Sequence, residues 1–295
     1  MCATRRFRQL AEPDRGKRRC AVRVAPDPGA SSAHGFAYLE ILVGMTVSLF
    51  LLGGLLAMLY GAQAGYEDFG EIGATQQTAR LALMQIQRDL ARAGVGLSPM
   101  KPVFPVIVPQ GDGGVLIRLN PAAATSYLVA DMVAGRLLEV KSAAPFMPGT
   151  AVAVYDANGS IDFAEVSGVN QGTGRLRLDR SLSKQYRRTD GAAVVGFEEI
   201  SYRVADVSGV PTLVREVGDG AAQPLAPHVV RFSITYYDNS VPPVSFQPAD
   251  PEEQANIRAV EIELVLLTEN ERIDLGDRPR VLLRTRVAPR SLTIS

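Results

Sequence analysis

Cysteine and histidine are almost missing from this chain. Among 295 residues there are two cysteines, Cys2 and Cys20, and two histidines, His34 and His228. Past residue 35 no thiol remains and His228 is the sole imidazole. A cysteine nucleophile and most zinc sites are therefore excluded from the larger part of the chain, and a serine triad would have only His228 to draw on. Net charge is missing too, with 31 basic residues balanced by 31 acidic ones. The balance hides an asymmetry: residues 1–35 hold eight basic and three acidic residues, a net +5, so the remainder is −5. A slightly acidic remainder with scattered arginines gives no support for nucleic-acid binding. Gly94-Val95-Gly96 lacks the glycine-rich phosphate fingerprint and reads as a helix stop. Glu198-Glu199 and Glu252-Glu253 read as solvated charges rather than an acid/base pair. The expectation is a non-enzyme with no catalytic residue, no metal ligands and no cofactor.

What is present is a long apolar run over residues 36–62, in which Glu40 is the only charged side chain. As a helix this run is about 40 Å long, more than the ~30 Å of a bilayer core. An ionised side chain in such a segment is penalised by roughly 2.5 to 3.5 kcal/mol, so Glu40 calls for a partner and a task. Cutting the chain between Gly35 and Phe36 would supply the partner, because the new amino group lies one helical turn before Glu40. The basic residues 1–35 precede the run, and the first charges after it are Glu67, Asp68 and Glu71. That asymmetry keeps residues 1–35 in the cytoplasm and exports the rest.

Gly35-Phe36 followed by Glu40 and an apolar helix resembles the prepilin processing site of type IV pilins and type II secretion pseudopilins. The resemblance implies that a prepilin peptidase cuts after Gly35 and methylates Phe36, and that Glu40 meets a terminal amine during filament assembly. Residues 1–35 would be the leader, and both cysteines would leave with it. A competing site exists at Ala62-Gln63-Ala64, where an ordinary signal peptidase would cut before Gly65. Against it stands the length of the apolar run, well beyond a signal h-region of about 7 to 15 residues. Gly53-Gly54 is either a soft point where the helix bends or a packing groove for a neighbouring helix.

The helix is expected to continue to Ala93. Phe69, Ile72, Ala79, Leu83, Ile86, Leu90 and Ala93 form one apolar stripe, with Gln76 filling its gap, while Arg80, Arg88, Asp89 and Arg92 fall off it. Gly94, Gly96 and Pro99 end it. Residues 36–64 are then the membrane half of one helix and 65–98 its amphipathic half. The stretch Gln87 to Gly94 resembles the end of this helix in PilW-like minor pilins.

From Val103 onward the pattern changes to short β-branched runs broken by Gly, Pro and Asn. Residues 152–155 and 161–166 flank Asn158-Gly159, a hairpin signal; Asp156, Asn158 and Asp162 also suggest a calcium loop, but their spacing does not fit an EF-hand. Further strands are expected at 137–140, 175–178, 200–204, 212–215, 229–237, 259–267 and 281–287. Val230, Phe232, Ile234 and Tyr236 share one face, as do Val260, Ile262, Leu264 and Leu266, opposite Glu261 and Glu263. Residues 242–251 read as an exposed loop. The expected fold class is α+β: a long N-terminal helix packed on an antiparallel β-sheet head, 99–295, with a small inserted β lobe at 134–196. The carboxy-terminal series from Ile200 to Val287 resembles the corresponding half of PilW and GspJ proteins.

The resemblance implies a minor pilin of a type IV pilus, acting in pilus initiation or assembly near the tip. Its partners would be the prepilin peptidase, other minor and major pilins or pseudopilins, and the inner membrane, with the amino terminus cytoplasmic and the head periplasmic. A minor pseudopilin of a type II secretion system shares these features. A membrane-tethered adhesin would instead use the lobe as its recognition surface.

Overall fold

A computed structural model describes residues 34–97, 104–132, 135–269 and 278–289. Residues 1–33, Pro99 and residue 134 lie outside the described residues. Helix α1, His34–Ala91, opens the chain. Strands follow as β1 Ile107–Pro109, β2 Val115–Leu119, β3 Thr125–Tyr127, β4 Leu137–Glu139, β5 Ala151–Tyr155, β6 Ile161–Asn170, β7 Arg175–Leu178 and β8 Ala193–Gly196. Then come β9 Glu198–Val207, β10 Val210–Val217, β11 Gln223–Ala226, β12 Val229–Tyr237, β13 Ser245–Phe246, helix α2 Pro251–Ala255, β14 Ala259–Leu267 and β15 Arg280–Val287. The class is α+β, and among the described residues every strand pairing is antiparallel.

The contacts divide the chain into two compact units, residues 1–62 and 63–295. In the first, only the apolar part of α1 is described. In the second, three sheets form, with strand orders β1-β2-β9-β10-β11, β13-β12-β14-β15 and β3-β8-β5-β6-β7-β4. Ala79, Leu83, Ile86, Leu90 and Ala93 of the chain leaving α1 share one buried cluster with Ile117, Tyr202, Leu213, Ile262 and Leu264 from the first two sheets. That shared core supplies the hydrophobic stabilisation an amphipathic helix lacks when alone in water. The helix ends at Ala91, and Gly94 and Gly96 both have positive φ. At Gly96 a Cβ would stand 2.5 Å from the Asn120 carbonyl oxygen, so the close approach of the helix end to β2 requires glycine.

The buried stripe of α1 is shorter and wider than the periodicity suggests. Phe69 is 71% exposed and Gln76 is exposed as well; full burial starts at Ala79. Asp89, expected on the polar side, is only 2% exposed. Ala82, Ile86, Asp89 and Ala93 make a second column beside Ala79, Leu83, Ile86 and Leu90, and both columns face the sheets.

In the four-stranded sheet β14 alternates as expected, with Val260, Ile262, Leu264 and Leu266 buried. Strand β12 does not: a register shift between Val229 and Arg231 buries Val229 and turns Val230 outward. A bulge adds one residue to one strand, so the face reverses at that point. The expected loop at 242–251 holds the short strand β13, and α2 starts at Pro251 behind the N-cap Asp250.

The six-stranded sheet has a core of its own, built from residues between Ala124 and Val194, including Leu138, Phe146, Val152, Val154, Leu176 and Tyr186. Its opposite face contributes Ala153 and Val195 to the main core. This sheet includes β3, which precedes residue 134 and pairs with β8. The amide of Gly196 donates to the carbonyl of Ala124 at 2.7 Å, so the chain enters and leaves the sheet at one place.

Candidate functional site

Residues Tyr38–Gln63 form a helical segment of 26 residues, long and apolar enough to cross a membrane. None of its side chains is buried within the chain. Its polar side chains are largely self-satisfied: Thr46 Oγ1 donates to the Val43 carbonyl at 2.8 Å and Ser48 Oγ to the Gly44 carbonyl at 2.7 Å. Glu40 is exposed at the start of this segment. Gly35, Phe36 and Glu40 all lie in α1, and the four-residue step places Phe36 and Glu40 on the same helix face, one turn apart. The helix runs unbroken through Gly53 and Gly54, whose missing Cβ atoms would meet nothing within 4 Å.

In the second unit several charged and polar side chains hold elements together. Asp89 Oδ2 accepts from Tyr202 Oη at 2.6 Å and from Arg215 Nε at 2.8 Å, tying α1 to β9 and β10. Arg215 Nε also donates to Tyr202 Oη at 3.2 Å. Burial pushes the Tyr202 hydroxyl far above its ordinary value, and the Asp89 carboxylate adds to this while Arg215 opposes it. Burial alone would lower the Arg215 guanidinium, but its bonds to Asp89 and Tyr202 raise it, so the cation is held. This triad is the functional-looking group that periodicity misses. Its only sequence trace is the step from Ile86 to Asp89 to Ala93, which puts Asp89 on the buried column.

The suspected calcium loop is a hairpin. Asp156 Oδ1 accepts from the amides of Asn158 and Ser160, both at 3.0 Å, and Gly159 takes the left-handed φ of +81° that the turn needs. A cation is already supplied: Lys184 Nζ lies 2.5 Å from Asp156 Oδ2 and 2.6 Å from Ser160 Oγ. Burial opposes ionisation of Asp156, but the Lys184 ammonium and the two amides outweigh it and lower its pKa. Asp162 accepts from Ser183 Oγ at 2.8 Å and from Tyr186 Oη at 3.1 Å. Among the described residues no group of three or more His, Cys, Asp or Glu side chains could hold a metal ion.

The carboxylate pairs also have local duties. Glu199 pairs with Arg118 at 2.8 Å, and Glu253 accepts from the Ala249 amide at the start of α2. His228 sits at a φ of +58° beside a cleft of about 200 Å³ formed with Glu71, Thr75 and Leu266. No described serine–carboxylate pair is hydrogen-bonded to it. No family model matches this chain, and no curated protein sequence matches it. The amino-terminal arrangement is thus the feature with the clearest chemistry: an exposed apolar helix carrying one carboxylate a turn from Phe36.

Proposed function

We propose that this chain is a minor pilin, cut by a prepilin peptidase between Gly35 and Phe36 and assembled through α1. The observation that carries this reading is Glu40, the only charge in an apolar helical run, at i+4 from the residue that becomes the amino terminus. A free amine at Phe36 neutralises a carboxylate in hydrocarbon when subunits stack, which turns an insertion cost into an association preference. In this reading the helix anchors the protein in the inner membrane with residues 1–35 cytoplasmic, and the β-rich unit faces the periplasm near a pilus tip. Mass spectrometry of the membrane-bound native protein tests it. A terminus at Phe36, methylated, is expected; residues 1–35 still attached, or a terminus at Gly65, overturns it.

A further inference from the structure

The chain holds six asparagines, and they differ in how open each carboxamide is to the amide nitrogen of the next residue. Asn120 is buried and is followed by Pro121, which has no N–H. Asn170 Oδ1 accepts from the Thr173 amide at 3.1 Å, so its carboxamide is held. Asn239 is followed by Ser240, whose amide donates to Asp238 Oδ1 at 3.1 Å. Asn256 precedes Ile257, a β-branched residue fully buried in the core, and the branch crowds the nitrogen. Asn270 lies outside the described residues.

Asn158 meets none of these obstacles. It is exposed at the tip of the hairpin that joins β5 and β6. Among the described residues its carboxamide makes no hydrogen bond; only its backbone amide is used, donating to Asp156 Oδ1. The next residue, Gly159, has no side chain to crowd its nitrogen. The closer bonds of the turn go to other amides: Asp156 Oδ1 takes those of Asn158 and Ser160, both at 3.0 Å, whereas the Gly159 amide reaches the Asp156 carbonyl at 3.2 Å. Nucleophile and electrophile thus stand next to each other on an open turn, and an intramolecular ring closure needs no encounter between separate molecules.

We propose that Asn158 is a self-modification site, where the folded protein converts asparagine into aspartyl and isoaspartyl forms without an enzyme. The Gly159 nitrogen attacks Asn158 Cγ. The new N–Cγ bond closes a five-membered imide, the Cγ–Nδ2 bond breaks, and ammonia leaves with the proton that the Gly159 nitrogen gives up. Water then adds to one imide carbonyl, and the nitrogen regains a proton as the ring opens. Opening at Cγ restores the ordinary main chain with a carboxylate at position 158. Opening at the backbone carbonyl carbon routes the main chain through Cγ instead. Either product adds a negative charge two residues from Asp156, whose own charge Lys184 already matches. The isoaspartyl form also adds a methylene to the main chain, in a turn pinned by the pairing of Tyr155 with Ile161. The conversion needs only this hairpin and is independent of the minor-pilin reading.

Peptide mass spectrometry of the full chain, kept folded in detergent in oxygen-18 water at mildly alkaline pH, tests this. Fragmentation that separates aspartyl from isoaspartyl peptides should find both at position 158, each carrying a solvent oxygen, while Asn120, Asn170, Asn239 and Asn256 stay intact. Gly159→Ala should slow the conversion roughly tenfold, because a methyl group crowds the attacking nitrogen. Mildly acidic buffer should slow it too, since the nitrogen must shed its proton to attack. The urea-unfolded chain is the reference for what the fold contributes, and the folded chain should convert at a rate within about tenfold of it. Asn158 intact in the folded chain while the unfolded chain converts, earlier conversion of another described asparagine, or a rate indifferent to Gly159→Ala overturns the proposal.

Discussion

Two carboxylates on α1 have opposite fates. Glu40 is exposed, and on the minor-pilin reading its cation is a free amine at Phe36. Replacing Glu40 by Ala should leave membrane insertion intact and reduce co-purification with partner pilins; undiminished co-purification would contradict the role assigned to it. Asp89 already has its cation. Removing one member of a buried ion pair leaves the other desolvated and uncompensated, so Asp89→Ala should destabilise the head by about 3 kcal/mol in urea unfolding. Replacing Asp89 and Arg215 together by leucine should cost much less. Tyr202 adds a pH dependence. Its folded-state pKa lies above the ordinary value of 10.0, mainly through burial, so the folded protein keeps a proton that the unfolded chain releases. That contribution to stability is complete below pH 10 and is lost as pH rises through the unfolded value toward the folded one. Melting temperature should therefore fall in alkali more steeply for the native head than for Tyr202→Phe. Tyr236 and Tyr186, also raised by burial, leave a residual slope.

At the scale of elements, turn chemistry decides where strands begin. The 156–160 hairpin combines Asp156 accepting two backbone amides with Gly159 in a left-handed conformation. Gly159→Ala should cost about 1 kcal/mol in chemical denaturation without changing the strand pairing, because a Cβ strains only that φ. Such signals are short-range and were legible: β7, β12 and β14 have the bounds that alternation and turn residues suggest. The face of β12 was not legible. Alternation places Val230 inward, and only the pairing with β14 shows the bulge that puts Val229 there instead. The stripe on α1 failed similarly at its start, where Phe69 is exposed, since period alone does not say how far the sheets extend beside a helix.

For the whole molecule, the six-stranded sheet behaves as an insertion with touching ends. Deleting 125–195 and closing Ala124 to Gly196 with a short glycine–serine linker should leave a head that unfolds cooperatively. Its stability should drop by roughly 3 kcal/mol from the lost cover of Ala153 and Val195. A deletion of 134–196 should fare worse, because it keeps β3 and removes its partner β8. Circular dichroism and urea titration of both shortened chains, with α1 retained, check the difference. Loss of cooperative unfolding in the first would show that the sheet is integral to the head.

By itself the sequence determined the features that depend on neighbours along the chain: an apolar helical run with one carboxylate, the Gly35-Phe36 step before it, the switch to strands and the Asn-Gly hairpin. These follow from local periodicity, burial cost and turn conformation, all readable within a few residues. Tertiary structure alone decided which buried polar group Asp89 would meet, since Tyr202 and Arg215 lie 113 and 126 residues away. It also decided that Lys184 would supply the cation for Asp156 and that Phe69 would remain uncovered. Long-range pairing sets these outcomes because a side chain's partner across a sheet is fixed by strand order and register, which no local pattern encodes.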